Sequence, residues 1–171
     1  MASTGRGSDW LVTKRIELSE INPSQVSRIK SPVILRNFIF CQDYQNVYRL
    51  WENAGEGIHI RRSDKVEEIK KKLERDPDLF LVAEVDGQIV GSVLGGFDGR
   101  RGMMYHLAVA SEFRQQGIGT LLMDELERRL REKGCIRYYL LVTRDNPNAI
   151  HFYEQRDWVR MDLYAYGKDL I

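Results

Sequence analysis

The length, composition and charge of the chain indicate one globular domain and exclude several classes of protein. Its 171 residues can enclose one hydrophobic core, and 43% hydrophobic with 30% charged residues is the ordinary balance of a soluble protein. A net charge of +1 gives no reason to expect a nucleic acid or an anionic membrane as partner, and every apolar run is shorter than the roughly 18 residues of a membrane span. We therefore expect a cytoplasmic protein, with Cys41 and Cys135 as buried free thiols in or beside strands.

The first 31 residues are predicted to form an extension before the main domain, which would then occupy residues 32–171. Residues 1–8 are rich in glycine and serine and are expected to be disordered. Residues 10–18 have a strand-like composition with imperfect alternation, so an extra strand is possible there, followed by a short helix.

One strand and two helices are predicted at the start of the main domain. Residues 33–40 are mostly β-branched or aromatic and indicate the strand. Asp43 is a candidate N-cap for a helix over residues 44–53. Ser63 is the candidate N-cap for a second helix, which ends at Asp76.

Three antiparallel strands are predicted next. Residues 79–85 and 88–94 flank an Asp-Gly pair, which is a strong signal for a hairpin turn. Gly95 and Gly96 indicate a bulge or a close backbone approach. After a further turn, residues 102–109 are expected to form the central strand.

A glycine-containing turn joins the central strand to a long amphipathic helix. The turn reads Arg114-Gln115-Gln116-Gly117-Ile118-Gly119. A strand that passes through such a turn into a helix points several main-chain N–H groups at one spot, at the positive end of the helix dipole. The turn therefore predicts a site for a phosphate or pyrophosphate. On a simpler interpretation, the glycines only form a tight strand-to-helix turn.

The C-terminal part is predicted to contain two strands and a short helix. The long helix ends near Gly134, which is expected to be its left-handed C-terminal residue. Residues 136–142 then form a strand, Asn146 and Pro147 open a helix, and residues 158–166 form the final strand.

Three segments and the order of the elements resemble the GNAT superfamily of N-acetyltransferases. The segments are Leu107-Ala108-Val109, the Arg-x-x-Gly-x-Gly turn, and an Asn-x-x-Ala-x-x-x-Tyr helix. The order β-α-α-β-β-β-α-β-α-β over residues 33–170 is that of the GNAT fold, which implies an α/β (α+β) domain with a mixed, mostly antiparallel central sheet and helices on both faces. One departure is Asp157-Trp158, where the family usually has a glycine before the aromatic residue. Aspartate tolerates the left-handed turn angle better than most residues.

The resemblance implies an enzyme that moves an acetyl group from acetyl-CoA to a primary amine of a small molecule or a peptide. The amine would attack the thioester directly in a ternary complex, and no metal is expected. The central strand would hold the pantetheine arm through its main chain, and the turn would hold the pyrophosphate. The residues expected to contact the cofactor are Leu107, Ala108, Val109, Arg114, Gln115, Gln116, Gly117, Ile118, Gly119, Thr120, Asn146 and Tyr153.

The expected catalytic residues are Tyr153 and His106. The family's matching tyrosine protonates or hydrogen-bonds the leaving thiolate, which implies that role for Tyr153. The candidates for the base that takes the amine proton are His106, Glu84 and Tyr105, and imidazole has a suitable ordinary pKa of about 6.5. Strand alternation places Tyr105 and His106 on opposite faces, although a bulge could reverse this. A structural role for His106 and a water relay without a dedicated residue both stay open.

Several alternatives are compatible with the same residues. Asn146 could equally be only the N-cap of its helix, and Arg114 could be a surface arginine. A catalytically silent acyl-CoA-binding regulatory module would keep the same fold. The chain has no basic stripe with interleaved aromatic residues, which disfavours a nucleic-acid binder. A monomer and a homodimer are both compatible with the sequence.

Overall fold

The computed structural model describes residues 13–17, 31–55 and 57–170. The strands are β1 (Lys14–Ile16), β2 (Val33–Asn37), β3 (Phe80–Val85), β4 (Gln88–Phe97), β5 (Gly102–Val109) and β6 (Tyr138–Leu140). The helices are α1 (Phe40–Glu52), α2 (Val66–Arg75), α3 (Ile118–Glu132) and α4 (Pro147–Glu154), with 3-10 turns at Arg62–Asp64 and Ser111–Phe113. The chain divides into two compact units, Met1–Leu141 and Val142–Ile171, which are described in turn.

The first unit is built on a six-stranded sheet in the order β1-β2-β3-β4-β5-β6. Each neighbouring pair is antiparallel except β5 and β6, which are parallel. The pairing of β5 with β6 covers only Gly102, Met103 and Met104. β6 ends at Leu140, opposite Met104, so β5 continues from Tyr105 to Val109 without pairing to β6.

Helices lie on both faces of the sheet, as two adjacent residues of β4 show. The hydroxyl of Ser92 accepts a 3.0 Å hydrogen bond from the indole of Trp51 in α1. A Cβ on Gly91 would instead lie 3.0 Å from Ile118 of α3. Because successive strand residues point to opposite faces, α1 and α3 lie on opposite sides of the sheet. Ile69 of α2 packs in the same cluster as Trp51, which confirms the predicted sheet with helices on both faces.

An aromatic cluster fixes α1 and α2 against the sheet. The ring of Phe80 stacks on Phe38 at 4.0 Å between centroids and on Trp51 at 5.8 Å. The other buried members of the cluster are Val47, Leu50, Ile69, Val82, Leu94 and Ala108. Burial of one large apolar side chain stabilises a fold by about 1.5–3 kcal/mol, so this cluster holds α1 and α2 firmly over β3, β4 and β5.

Glycine allows α3 to approach β4 closely. A Cβ on Gly95 would lie 2.5 Å from Cδ1 of Leu126, which is fully buried. The register of β4 against β5 also shifts between Val93 and Gly95. The bulge or close approach predicted at this glycine pair is therefore confirmed.

The extra strand considered for residues 10–18 is present as β1, which pairs antiparallel with β2. The remainder of the predicted extension, including the tail expected to be disordered and the short helix, lies outside the described residues. The extension's boundary with the main domain at residue 31 stays a prediction.

Two predictions near the start of the main domain are corrected. Helix α1 begins at Phe40 and not at residue 44. The carboxylate of Asp43 lies in the first turn and accepts the N–H of Ile39 at 2.7 Å, so it caps the helix from within. As a result Cys41 lies on a helix and is exposed, where a buried strand position was expected; Cys135 is partly buried, and both are free thiols.

The second unit contains α4 followed by an extended segment. Residues 158–170 form no strand, so the final strand predicted over residues 158–166 is wrong for this structure. A strand needs a neighbour to pair with its N–H and C=O groups, and the described part of this unit contains no other strand. The apolar side chains of the segment, among them Val159, Leu163 and Tyr164, are exposed. Across both units, none of the described helices combines the length and the apolar character that a membrane crossing requires.

Candidate active site

The turn between β5 and α3 presents a row of main-chain N–H groups. Gln115 and Gly117 adopt left-handed backbone angles, with φ of 60° and 81°. Within the described residues, the first main-chain hydrogen bond of the helix is donated by Leu121 to the carbonyl of Gly117 at 3.0 Å. The N–H groups of residues 115–120 donate to no acceptor within that part of the chain. These N–H groups stand at the positive end of the α3 dipole, where an anion is favoured.

Two side chains hold this turn in place. The amide of Gln116 is buried and donates to the carbonyl of Glu112 at 2.8 Å. The guanidinium of Arg114 donates to the carbonyl of Val109 at 3.0 Å and to that of Ala54 at 2.9 Å. Arg114 therefore links the end of β5 to the residues that follow α1, a contact that sequence reasoning did not anticipate.

The end of β5 forms the second part of the site. Leu107, Ala108 and Val109 pair with Val93, Ser92 and Gly91 of β4 on one edge, and β6 does not pair with them on the other. The side chain of Ala108 is buried in the cluster under α1, while Leu107 and Val109 are partly buried. Ile118, at the start of α3, is also buried, and Gly119 and Thr120 complete the first turn of that helix. Among the described residues no strand pairs with this edge of β5 beyond Met104, although the Val109 carbonyl accepts the guanidinium of Arg114.

The β-bulge places Tyr105 and His106 on the same face of the sheet, which corrects the alternation expected for this strand. His106 contacts Trp51 of α1, with 4.7 Å between ring centroids. Tyr105 lines a cavity together with Lys72 of α2 and Asp76, which follows that helix. The pairing moves from Val93 opposite Leu107 to Gly95 opposite Met104, so β5 has one more residue than β4 across this interval.

His106 forms a hydrogen bond with a buried carboxylate. Its Nε2 lies 2.9 Å from Oδ1 of Asp64, in the 3-10 turn before α2. Oδ2 of Asp64 accepts the main-chain N–H of Arg61 at 2.7 Å. Burial tends to raise the pKa of Asp64, but the hydrogen bonds from His106 and Arg61 outweigh it, so the pKa lies below its ordinary value. Asp64 is therefore ionised at neutral pH.

The other two candidate bases have different surroundings. Glu84 accepts a 2.9 Å hydrogen bond from Nε of Arg36, whose guanidinium also binds Asp43. The Glu84 carboxylate is thus committed to an ion pair that joins β2, β3 and α1. Burial raises the pKa of Tyr105 above its ordinary value, so its phenol stays protonated at neutral pH.

A half-open cavity of about 560 Å³ lies on the face that carries Tyr105. Tyr139 of β6 lines the cavity. The charged residues that line the cavity are Lys72, Arg75, Asp76, Asp98 and Arg101. Lys72 is paired with Asp76 at 2.6 Å. The cavity is thus a recess with both charged and apolar lining residues, next to the strand that contains the candidate base.

The remaining predicted site residues belong to the second unit. The side chain of Asn146 accepts the N–H of Ala149 at 3.0 Å, so Asn146 is the N-cap of α4. Tyr153 packs edge-on against Trp158 at 5.8 Å, and burial raises its pKa to about 12. Asp157 has φ of 61°, which confirms that it adopts the left-handed angle for which the family usually has glycine.

Asp64 is the residue of the site that the sequence did not reveal. It lies 42 residues before His106, and a carboxylate next to Ser63 was indistinguishable from an ordinary helix-capping group. No group of three or more histidine, cysteine or acidic side chains suited to a metal ion occurs in the part of the chain that the structure describes.

Comparison with known proteins identifies the family. Residues 44–158 match the acetyltransferase (GNAT) family. An acetyltransferase of Pectobacterium atrosepticum is 44% identical over 134 residues, which is 78% of this chain and 94% of that protein. A Yersinia enterocolitica acetyltransferase is 42% identical over 129 residues, covering 75% of this chain and 90% of the relative.

Solved structures of the same fold agree with the family match. Ard1 from Thermoplasma volcanium has a TM-score of 0.65 at 27% identity, covering 74% of this chain and 82% of its own. The PaiA N-acetyltransferase of Thermoplasma acidophilum, solved in complex with coenzyme A, has a TM-score of 0.63 at 20% identity and covers 72% and 87%. The family match and the relatives lead to one conclusion: the chain belongs to the GNAT family of acetyltransferases.

Proposed function

We propose that this protein transfers an acetyl group from acetyl-CoA to a primary amine of a small molecule or a peptide, by direct attack in a ternary complex. The observation that carries the proposal is the row of main-chain N–H groups at residues 115–120, which donate to no acceptor in the described part of the chain. The first N–H groups of an α-helix have no partner within the helix and are available to a ligand. A pyrophosphate would supply the acceptors that this turn lacks, and its charge suits the helix dipole.

The unpaired edge of β5 suits the pantetheine arm of the same cofactor. A pantetheine arm contains amide groups, which can hydrogen-bond to main-chain N–H and C=O groups as a neighbouring strand would. Leu107 and Val109 would supply those main-chain groups, and Asn146 would add a contact near the same arm. Arg114 would add a positive charge next to the pyrophosphate. The thioester would then lie beside the middle of β5.

The chemistry requires two proton transfers. A lysine-like amine has a pKa of about 10.4, so its deprotonation at pH 7 costs about 4–5 kcal/mol and needs an acceptor. His106, or a water next to it, would accept that proton. The neutral nitrogen forms its bond to the acetyl carbon as the bond from carbon to sulfur breaks. The phenol of Tyr153 would hydrogen-bond the departing thiolate, and the second proton lost by the nitrogen would pass to that sulfur.

A charge placed in the turn tests the cofactor site. Gly117→Glu introduces a side chain and a negative charge where the pyrophosphate would lie, and like charges in contact cost several kcal/mol. We expect the affinity for acetyl-CoA, measured by calorimetry, to fall by at least about 100-fold. The matched control is Gly134→Glu, at the other end of α3, where the backbone has the same left-handed angle, with φ of 80°. Equal affinity in the two variants would contradict the assignment.

Turnover tests the enzymatic part of the proposal. Release of the CoA thiol is measured with acetyl-CoA and a panel of amines that includes polyamines, amino sugars and peptides with free amines. Acetylation of one class supports the transferase. Tight binding of acetyl-CoA without turnover of any amine would favour the silent acyl-CoA-binding module.

A further inference from the structure

His106 and Asp64 form a hydrogen-bonded pair of low solvent exposure next to Trp51 of α1. The two side chains are 18% and 5% exposed, and their closest atoms are 2.9 Å apart. Trp51 covers one side of the imidazole, with an angle of 60° between the rings. The imidazole is thus held in one orientation, while part of it stays accessible.

The ionised state of Asp64 determines which group donates in its hydrogen bond with His106. Its Oδ2 accepts the N–H of Arg61, and its main-chain carbonyl accepts the hydroxyl of Tyr44 at 3.3 Å. The charged and titratable groups that face the pair are Asp64 itself, the side chain of Arg61 and the phenol of Tyr44. An ionised carboxylate can only accept hydrogen bonds, so the contact requires that Nε2 of His106 bear the proton.

We propose that Asp64 is a positioning residue for the acetyl transfer: it keeps the proton of neutral His106 on Nε2 and so leaves Nδ1 free to accept the proton of the amine. This inference rests on the proposed function. The ammonium proton of the acceptor passes to Nδ1, and the neutral nitrogen then bonds to the acetyl carbon. The electron pair of the broken carbon–sulfur bond leaves with the CoA sulfur, which takes up the second proton lost by the nitrogen. The resulting imidazolium is stabilised by the carboxylate of Asp64, as an ion pair of low solvent exposure.

The substitution Asp64→Asn separates positioning from packing. Its amide oxygen can still accept the N–H of Arg61, but its NH2 group must then face His106. Nε2 becomes the acceptor, the proton moves to Nδ1, and the base is blocked. We expect kcat to fall by about 100-fold or more, while the affinity for acetyl-CoA stays within about twofold of the wild type.

Asp43→Asn is the matched control. Asp43 is also a buried aspartate whose Oδ2 accepts a main-chain N–H at 2.7 Å at the start of a helix, but its side-chain partner is Arg36. We expect Asp43→Asn to lower stability without a comparable loss of kcat. In a His106→Gln background, Asp64→Asn is expected to cost no further activity, because Asp64 acts through His106.

The tautomer can be read directly, without turnover. Long-range 1H–15N spectra of the full chain report which ring nitrogen bears the proton, and the signals of His106 are assigned by their loss in His106→Gln. The proposal expects the proton on Nε2 in the wild type and on Nδ1 in Asp64→Asn. A wild-type proton on Nδ1, or full kcat in Asp64→Asn, would overturn it. Failure of the wild type to acetylate any amine would contradict the proposed function instead, and the spectra would still decide the role of Asp64.

Discussion

At the residue scale, the proposed role of Tyr153 is to hydrogen-bond the departing thiolate, and burial keeps its phenol neutral for that role. Its pKa of about 12 lies above the ordinary value of 10. A CoA-like thiol has a pKa of about 8.5. The Tyr153 phenol is still neutral at pH values that deprotonate the amine, so it can donate a hydrogen bond to the thiolate there.

Removal of the Tyr153 hydroxyl should affect the chemical step and not cofactor binding. We expect Tyr153→Phe to lower kcat by about 100-fold and to leave the affinity for acetyl-CoA nearly unchanged. The aromatic contact with Trp158 is retained in this variant. Steady-state kinetics and calorimetry on the same preparation measure the two effects, and equal losses in both would show Tyr153 to be a packing residue.

The same phenol predicts a stability change at high pH. Below about pH 10 it is protonated in the folded and unfolded chains alike, so its ionisation contributes nothing. Between about pH 10 and pH 12 the unfolded chain loses this proton while the folded chain keeps it, so the free energy of unfolding falls as pH rises. Denaturant titrations of the wild type and Tyr153→Phe across this range should diverge, with the wild type losing more stability. Parallel curves would contradict the burial of the hydroxyl.

At the element scale, the packing of α3 on β4 depends on the missing Cβ of Gly95. An alanine there would place its methyl group 2.5 Å from Cδ1 of the buried Leu126. We expect Gly95→Ala to lower the free energy of unfolding by about 1–3 kcal/mol through overpacking. The control is Gly167→Ala, which has no atom within 4 Å of the added Cβ. Equal stability of both variants in denaturant would contradict this packing.

The elements also show which features a sequence reveals. The turn at residues 114–119, the hairpin at residues 86–87 and the caps at Gly134 and Asn146 were predictable, because each depends on the backbone preference of its own residues. The placement of Tyr105 beside His106 was not, since it depends on how β5 pairs with β4 across the bulge.

The prediction of a final strand was wrong for a related reason. Residues 158–166 have a strand-like composition, but a strand forms only where a neighbour offers hydrogen-bonding groups. The composition of a segment does not show whether another strand lies beside it to pair with it. The pair of Asp64 with His106 was hidden in the same way, because 42 residues separate the two side chains and only the fold brings them together.

At the scale of the whole molecule, one buried arginine joins α3, which follows the glycine turn, to the rest of the first unit. Arg129 of α3 is 5% exposed and donates to Glu125 at 2.8 Å. It also binds the side chain of Asn37 in β2 and the carbonyl of Asp78 before β3. The position of α3, and with it the row of N–H groups, therefore depends on this one guanidinium.

Loss of the Arg129 charge should destabilise the first unit. We expect Arg129→Met to lower the free energy of unfolding by about 3 kcal/mol, because it removes the buried hydrogen bonds to Glu125, Asn37 and the carbonyl of Asp78. The control is Arg131→Met on the same helix, where the ion pair with Glu127 involves an arginine side chain that is 71% exposed and should cost at most about 1 kcal/mol. Chemical denaturation measures both, and similar losses would argue against a structural role for Arg129.

The central claim, that the main-chain N–H groups before α3 hold the pyrophosphate of acetyl-CoA, is tested most directly by a titration observed amide by amide. In two-dimensional 1H–15N spectra of the full chain, acetyl-CoA should shift the amide signals of residues 115–120 most strongly, followed by those of Leu107 and Val109. If acetyl-CoA binds by calorimetry but leaves these signals in place and shifts a different part of the chain, the account is contradicted.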